Sequence, residues 1–224
     1  MKTPLMTRPL LLSLFLVVFL VEWSVVGTAQ TPSKEKESAL QVVERNREAI
    51  ALLGDNIYYF AELGMQETES SKLMTDILED AGFAVERGIS TMPPAFLATY
   101  GSGTPVIAIH TEFDSTPGNS QTPSMTDHIP LVEGAPGHAE GHNVNAAVMI
   151  GAAFAIKTVL DEYQLEGTLK IFGAPAEEQL ISRPYFVRDG YFDDVDIVFH
   201  PHIGSDFQTQ YGLRQYALIS AKFH

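Results

Sequence analysis

Cysteine is absent from all 224 residues, tryptophan occurs once, and 14 basic residues face 28 acidic ones, for a formal net charge of −14. Without thiols there is no disulfide framework and no sulfur-ligated metal site. Stability must therefore come from core packing, and any bound metal must be held by nitrogen and oxygen. So acidic a surface repels phosphate backbones, and no stripe of Lys and Arg interrupts it, which excludes nucleic-acid binding. Internal repeats and low-complexity blocks are also missing.

The apolar run at residues 10–21 stops at Glu22, short of the roughly 20 residues that a bilayer span needs. Lys2 and Arg8 precede it and Gly27, Thr28 and Ala29 follow, the pattern of a secretory signal peptide over residues 1–29, cleaved after Ala29. The expected location is secreted or periplasmic with no stable membrane span after cleavage; an uncleaved membrane anchor is the alternative. Residues 30–37 read as a polar, solvated lead-in. The remainder is long enough for one domain with a substantial core.

Apolar residues recur at helical spacing over 38–63 (Leu40, Val43, Ile50, Leu53, Ile57, Phe60), and a second helix is expected over 69–81, closed by Gly82. Short runs at 84–87, 95–100 and 106–110, broken by Pro93-Pro94 and by the GSGTP segment, read as strands in or near a sheet centre. Residues 115–137 are rich in Pro, Gly, Ser and Thr and form a long loop; loops of that length are more often functional than idle. Residues 143–160 are apolar on nearly every face, with Ala and Gly for close packing, and predict a buried helix starting directly after His142. A strand at 168–172, a short helix at 184–189 closed by Gly190 and a strand at 196–199 complete an alternating pattern. The fold class is α/β, a mixed sheet flanked by helices.

Four polar clusters stand at the joints of this pattern. GHAEGHN (137–143) places His138 and His142 four apart around Glu140, with Gly137 and Gly141 allowing a tight loop. Imidazole and carboxylate suit zinc, manganese or cobalt; two loop histidines can equally be solvated or hydrogen-bonded. GAPAEE (173–178) puts Glu177 and Glu178 after a strand, where α/β proteins place their sites. One carboxylate could hold metal while the other takes a proton from water, though an acidic first helical turn looks the same. VFHPH (198–202) presents His200 and His202 around a proline, as a ligand pair or a surface turn. Glu112 and Asp114 in IHTEFDSTPG (109–118) are site residues or ordinary loop caps. Three of the clusters follow strands and the fourth opens a buried helix, and one shared site explains that better than four coincidences.

These motifs, with FAELGMQETESS (60–71), AGFAVERGIS (81–90) and VRDGYFDDVDIVFHPH (187–202), resemble the dinuclear-metal amidohydrolase and peptidase family that includes aminoacylases, carboxypeptidase G and auxin-conjugate hydrolases. The similarity runs from about Val43 to the C-terminus and looks closest to the aminobenzoyl-glutamate utilisation protein B branch. It implies a zinc-peptidase-like catalytic domain binding a divalent metal, two ions of Zn or Mn with Co as an option. Glu140, His142, Glu178 and His200 would be metal ligands and Glu177 the general base. Glu112 and Asp114 would orient ligands; His138 matches a recurrent loop residue without a defined role. Glu140 stands where the nearest branches have cysteine, which favours harder ions.

The implied reaction is hydrolysis of the amide of an N-acyl or N-aroyl amino acid, or of a dipeptide, by a metal-activated water. The resemblance also implies that 38–215 is the N-terminal part of the catalytic domain and 216–224 the start of a lid and dimerisation domain. The chain is then C-terminally truncated, lacking a last histidine ligand, with a homodimer expected only for the full-length protein. The alternatives are a truncated relative that binds metal, ligand or a partner chain without turnover, and a generic α/β binding domain with scattered acidic loops. The leader reading predicts that N-terminal sequencing of the exported protein begins at Gln30; an N-terminus at Met1 with membrane-bound material would establish the anchor instead.

Overall fold

The computed structural model describes residues 31–204, so the expected signal peptide and the expected start of a lid domain lie outside the described residues. The chain divides into Met1–Glu37 and Ser38–His224. The helix α1 (Lys34–Arg45) begins in the first unit, within the polar lead-in; residues 34–37 are mostly exposed but helical. The elements that follow belong to the second unit: α2 (Arg47–Phe60), α3 (Thr68–Asp80), β1 (Ala84–Arg87), β2 (Phe96–Ser102), β3 (Val106–Thr111), α4 (His142–Glu162), β4 (Gly167–Gly173), α5 (Ser182–Arg188) and β5 (Ile197–Phe199).

The strands form one mixed sheet in the order β1-β2-β4-β3-β5. β1 and β2 are antiparallel, β2 and β4 are antiparallel, and β4, β3 and β5 run parallel. Side chains alternate across it with the period of two that extended backbone imposes. Phe96, Ala98, Ile109, Leu169 and Ile171 face a core shared with Leu53 and Ile57 of α2, Met74 and Leu78 of α3, and Ala146, Ile150 and Ala153 of α4. Leu97, Ala108 and Phe172 face a second core with Ile89, Met92 and Phe186 of α5. Helices on both faces make the expected α/β layering.

Three expectations need correction. The helix over 38–63 is two helices that meet at Asn46 (φ −102°, ψ 7°). There the Asn46 side-chain amide donates to the Val42 carbonyl at 2.8 Å, the same carbonyl that accepts the Asn46 backbone N–H at 3.1 Å. β1 is an edge strand, mostly exposed. The short helix begins at Ser182, two residues before Pro184, because proline is accommodated in a first helical turn.

α4 is the one helix among the described residues long and apolar enough to cross a membrane, but half of that stretch is buried against the rest of the protein. Small residues set its packing. Gly54 lets α2 approach α4 so closely that an added β-carbon would lie 3.4 Å from that of Ala147, and the Asn143 amide donates to the Gly54 carbonyl at 3.1 Å. In the sheet, Gly173 sits opposite Phe96, whose ring occupies the space a side chain would need. Gly173→Ala is therefore expected to destabilise the fold by about 1–3 kcal/mol through overpacking, read as a lower urea midpoint. The companion Phe96→Leu should partly relieve the loss when combined with it.

Candidate metal centre

The four clusters converge at one end of the sheet. β3 delivers Glu112 and Asp114, β4 delivers the loop to Glu178, β5 delivers His200, and α4 starts at His142. These are the carboxyl ends of three parallel strands, where α/β folds collect ligands. Gly141 (φ 84°, ψ 23°) adopts the left-handed conformation that turns the loop into α4.

His142 is buried, 1% exposed. Its Nδ1 donates to Asp114 Oδ1 at 2.9 Å and lies 3.1 Å from the Asp114 carbonyl. Its Nε2 is buried without a hydrogen-bond partner among the described residues, 3.6 Å from Glu112 Oε1 and 3.9 Å from Glu177 Oε2. Burial alone would depress the imidazole pKa. The Asp114 hydrogen bond and the charges of Glu112, Asp114 and Glu178 outweigh it and raise the pKa to about 9.

Asp114 also accepts the Glu178 backbone N–H through Oδ2 at 3.0 Å, so one carboxylate aligns the His142 ring and the glutamate loop. Burial, reinforced by the neighbouring Glu140, pushes the Glu178 carboxyl up to about 7, and its Oε1 is buried with no partner among the described residues. Glu140 is exposed. Glu140, His142 and Glu178 each offer a donor atom, and the three atoms lie within 4.8 Å of one another. Two buried atoms without a hydrogen-bond partner among the described residues, on His142 and Glu178, together with the exposed Glu140 carboxylate make a set that could hold a divalent ion through nitrogen and oxygen alone.

Glu112, fully buried, anchors two further groups that could hold an ion: His110, Glu112 and His200, and Glu112, His142 and His202. Its Oε1 lies 3.2 Å from His202 Nε2 and 3.7 Å from His200 Nε2, and it accepts from Asn145 Nδ2 at 3.3 Å. Its Oε2 is paired with the Arg183 guanidinium, which also meets Glu177 Oε1 at 3.2 Å.

Arg183 Nε donates to His110 Nε2 at 2.7 Å. Guanidinium only donates, so Nε2 of His110 is unprotonated and its Nδ1 carries the proton. That Nδ1 then donates to His200 Nδ1 at 2.9 Å, which leaves the His200 proton on the Nε2 facing Glu112. Burial first, then Arg183 and His200, hold His110 well below the usual histidine range; burial lowers His200 as well.

Of the expected residues, the structure therefore brings together Glu140, His142 and Glu178, with Glu177 and Asp114 against them. His200 stands in a separate group, its ring turned to His110. His138 joins none of the three groups. Its Nε2 donates to the Ile57 carbonyl at 3.1 Å, and burial drops its pKa to about 4. His202 was visible in the sequence only as half of a His-Pro-His turn. His110 and Arg183 were not singled out: His110 reads as one alternation within an apolar strand, and no local pattern marks Arg183.

No protein-family model matches the chain. It is 34% identical over 183 residues to one of the subunits of the p-aminobenzoyl-glutamate hydrolase of Escherichia coli, covering 81% of this chain and 37% of that protein. Identity to an IAA-amino acid hydrolase of Arabidopsis thaliana is 31% over 143 residues, 63% of this chain and 29% of that protein. The fold is similar to that of a dinuclear metal binding peptidase of the M20 family from Bacillus subtilis, with a TM-score of 0.63 at 22% identity over 73% of this chain and 44% of that one. A mixed sheet with this layering is the catalytic-domain fold of such peptidases. The chain is similar to proteins of the dinuclear-metal amidohydrolase and peptidase family, and it spans well under half the length of those curated relatives.

The raised His142 pKa gives a signed pH dependence for metal-free protein. Protonated His142 stabilises the fold fully below its unfolded value of 6.5, and that contribution is lost as pH rises through about 9. In chelator-treated protein the His142 ring resonances should titrate near pH 9. Asp114→Asn should move that midpoint clearly downward; an unmoved midpoint would remove Asp114 from the account.

Proposed function

We propose that this chain carries the metal-binding and proton-transfer groups of a hydrolase that cleaves the amide of an N-acyl or N-aroyl amino acid, or of a dipeptide. The observation that carries the reading is that Glu140, His142 and Glu178 each bring one ligand atom within 4.8 Å of the others, in a place where His142 Nε2 and Glu178 Oε1 are buried with no hydrogen-bond partner among the described residues. Names of relatives support the substrate class: one acts on p-aminobenzoyl-glutamate and another on IAA-amino acids.

In this reading Glu140, His142 and Glu178 hold one divalent ion, zinc or manganese with cobalt as an option. Glu112 with His200, or with His202, stands where a second would bind. A bound divalent ion supplies Lewis acidity, which acidifies water and polarises an amide carbonyl. Asp114 fixes the His142 ring so that Nε2 points inward. Glu177 is 22% exposed, open to solvent yet 3.9 Å from His142 Nε2, and is placed to take a proton from water and return it to the leaving amine. Arg183 holds Glu177 through its other oxygen, which limits the rotamers of that carboxylate. Export by a cleaved leader is part of the same proposal.

The test combines elemental analysis of dialysed protein with amide hydrolysis on N-aroyl and N-acyl amino acids and dipeptides. His142→Ala should lose bound metal. Glu177→Gln should keep metal and lower turnover by about 10²–10⁴-fold. Metal retained by His142→Ala would overturn the ligand assignment, and stoichiometric metal with no hydrolysis of any substrate class would support binding without turnover.

A further inference from the structure

Glu67 is fully buried, 0% exposed, and takes part in none of the groups above. It stands at the start of α3, where a side chain ordinarily turns back to cap the first free N–H groups. That task is performed by Glu62 instead, whose carboxylate accepts the N–H of Glu69 at 2.8 Å and of Ser70 at 2.9 Å, and the Ser70 hydroxyl at 2.8 Å. Glu67 is thereby released from its own helix. Its Oε1 crosses to accept the backbone N–H of Ala176 at 2.7 Å.

Ala176 directly precedes the glutamate pair. It is fully buried and left-handed, φ 56° and ψ 46°, a conformation disfavoured for any residue with a β-carbon. Such a conformation persists only where the surroundings over-determine it, and two contacts do so here. Glu67 binds the Ala176 N–H from one side. From the other, Gly64 packs so closely that an added β-carbon would lie 3.0 Å from the Ala176 Cα and Cβ. The turn is then closed by the Gln179 N–H donating to the Ala176 carbonyl at 3.2 Å, and it delivers the Glu178 N–H to Asp114.

We propose that Glu67 is a positioning residue: its buried carboxyl locks the left-handed turn at Ala176 and so sets where Glu177 and Glu178 stand. The consequence for metal rests on the hydrolase reading above; the contact itself does not. Burial pushes the Glu67 carboxyl up to about 7, so glutamine, which keeps the accepting oxygen, is the conservative replacement.

The experiment compares the full chain with Glu67→Ala, Glu67→Gln, Gly64→Ala and the double variant Glu67→Ala/Ala176→Gly. Two quantities are read: amide hydrogen exchange at Ala176 by NMR, and Mn²⁺ and Zn²⁺ affinity by calorimetry. Glu67→Ala should accelerate exchange and weaken metal binding by about tenfold or more. Glu67→Gln should stay within about threefold of the parent, because the hydrogen bond survives. Glycine adopts the left-handed conformation without strain, so Ala176→Gly should restore metal affinity in the Glu67→Ala background. Gly64→Ala should loosen the same turn without removing any polar group, which keeps the idea testable if Glu67→Ala fails to fold. Unchanged exchange at Ala176 in Glu67→Ala, or Glu67→Gln as damaging as Glu67→Ala, overturns the proposal. Absence of metal from every protein overturns the hydrolase reading instead, and exchange at Ala176 then decides the Glu67 role alone.

Discussion

The carboxylate of Asp114 is engaged on both oxygens, one receiving the His142 ring and the other the backbone N–H of Glu178. Those partners come from the start of α4 and from the loop after β4, while Asp114 itself follows β3. Three elements distant in sequence are thus tied at one buried point. The neighbouring hydrogen bond from Ser115 N–H to the Glu62 carbonyl, 2.8 Å, ties the α2–α3 connection to the same place.

Burying so many acidic groups in one place creates a demand for positive charge, and the protein answers it in graded ways. Arg183 neutralises Glu112 and Glu177 from one side. His142 retains a proton to high pH, while Glu178 and Glu67 hold theirs to about neutrality. An ion pair buried in this manner contributes little net stability, since the desolvation of both partners opposes their attraction. A fold that retains such a cluster has reason to do so beyond stability. A divalent ion would release the protons held by His142 and Glu178, which couples metal affinity to pH.

Most of the layering was legible in the sequence. The strands at 84–87, 106–110 and 168–172 and the helix opening at His142 follow from apolar periodicity and glycine punctuation, and the structure places them within a residue or two. The break at Asn46 was not legible, because the apolar stripe runs through it and no proline or glycine stands there to mark it. Nor was the edge position of β1. Strand order depends on which crossovers the helices permit, and a four-residue run carries no record of its neighbours.

The chemical types at the site were written in the sequence: histidines, carboxylates and no thiol, set at the ends of strands. That was enough to gather Glu112, Asp114, His138, Glu140, His142, Glu177, Glu178, His200 and His202 into one candidate site, while the role of each came only from the family resemblance. What only the tertiary structure decided is which nitrogen points where. His200 turns to His110 because Arg183, more than seventy residues from His110 along the chain, fixes that ring's proton. His202 comes within reach of Glu112, and Ala176 is held in a left-handed turn by a glutamate 109 residues away. Residue type and local spacing are properties of the chain, whereas the direction of a hydrogen bond between distant segments exists only once packing has brought donor and acceptor together.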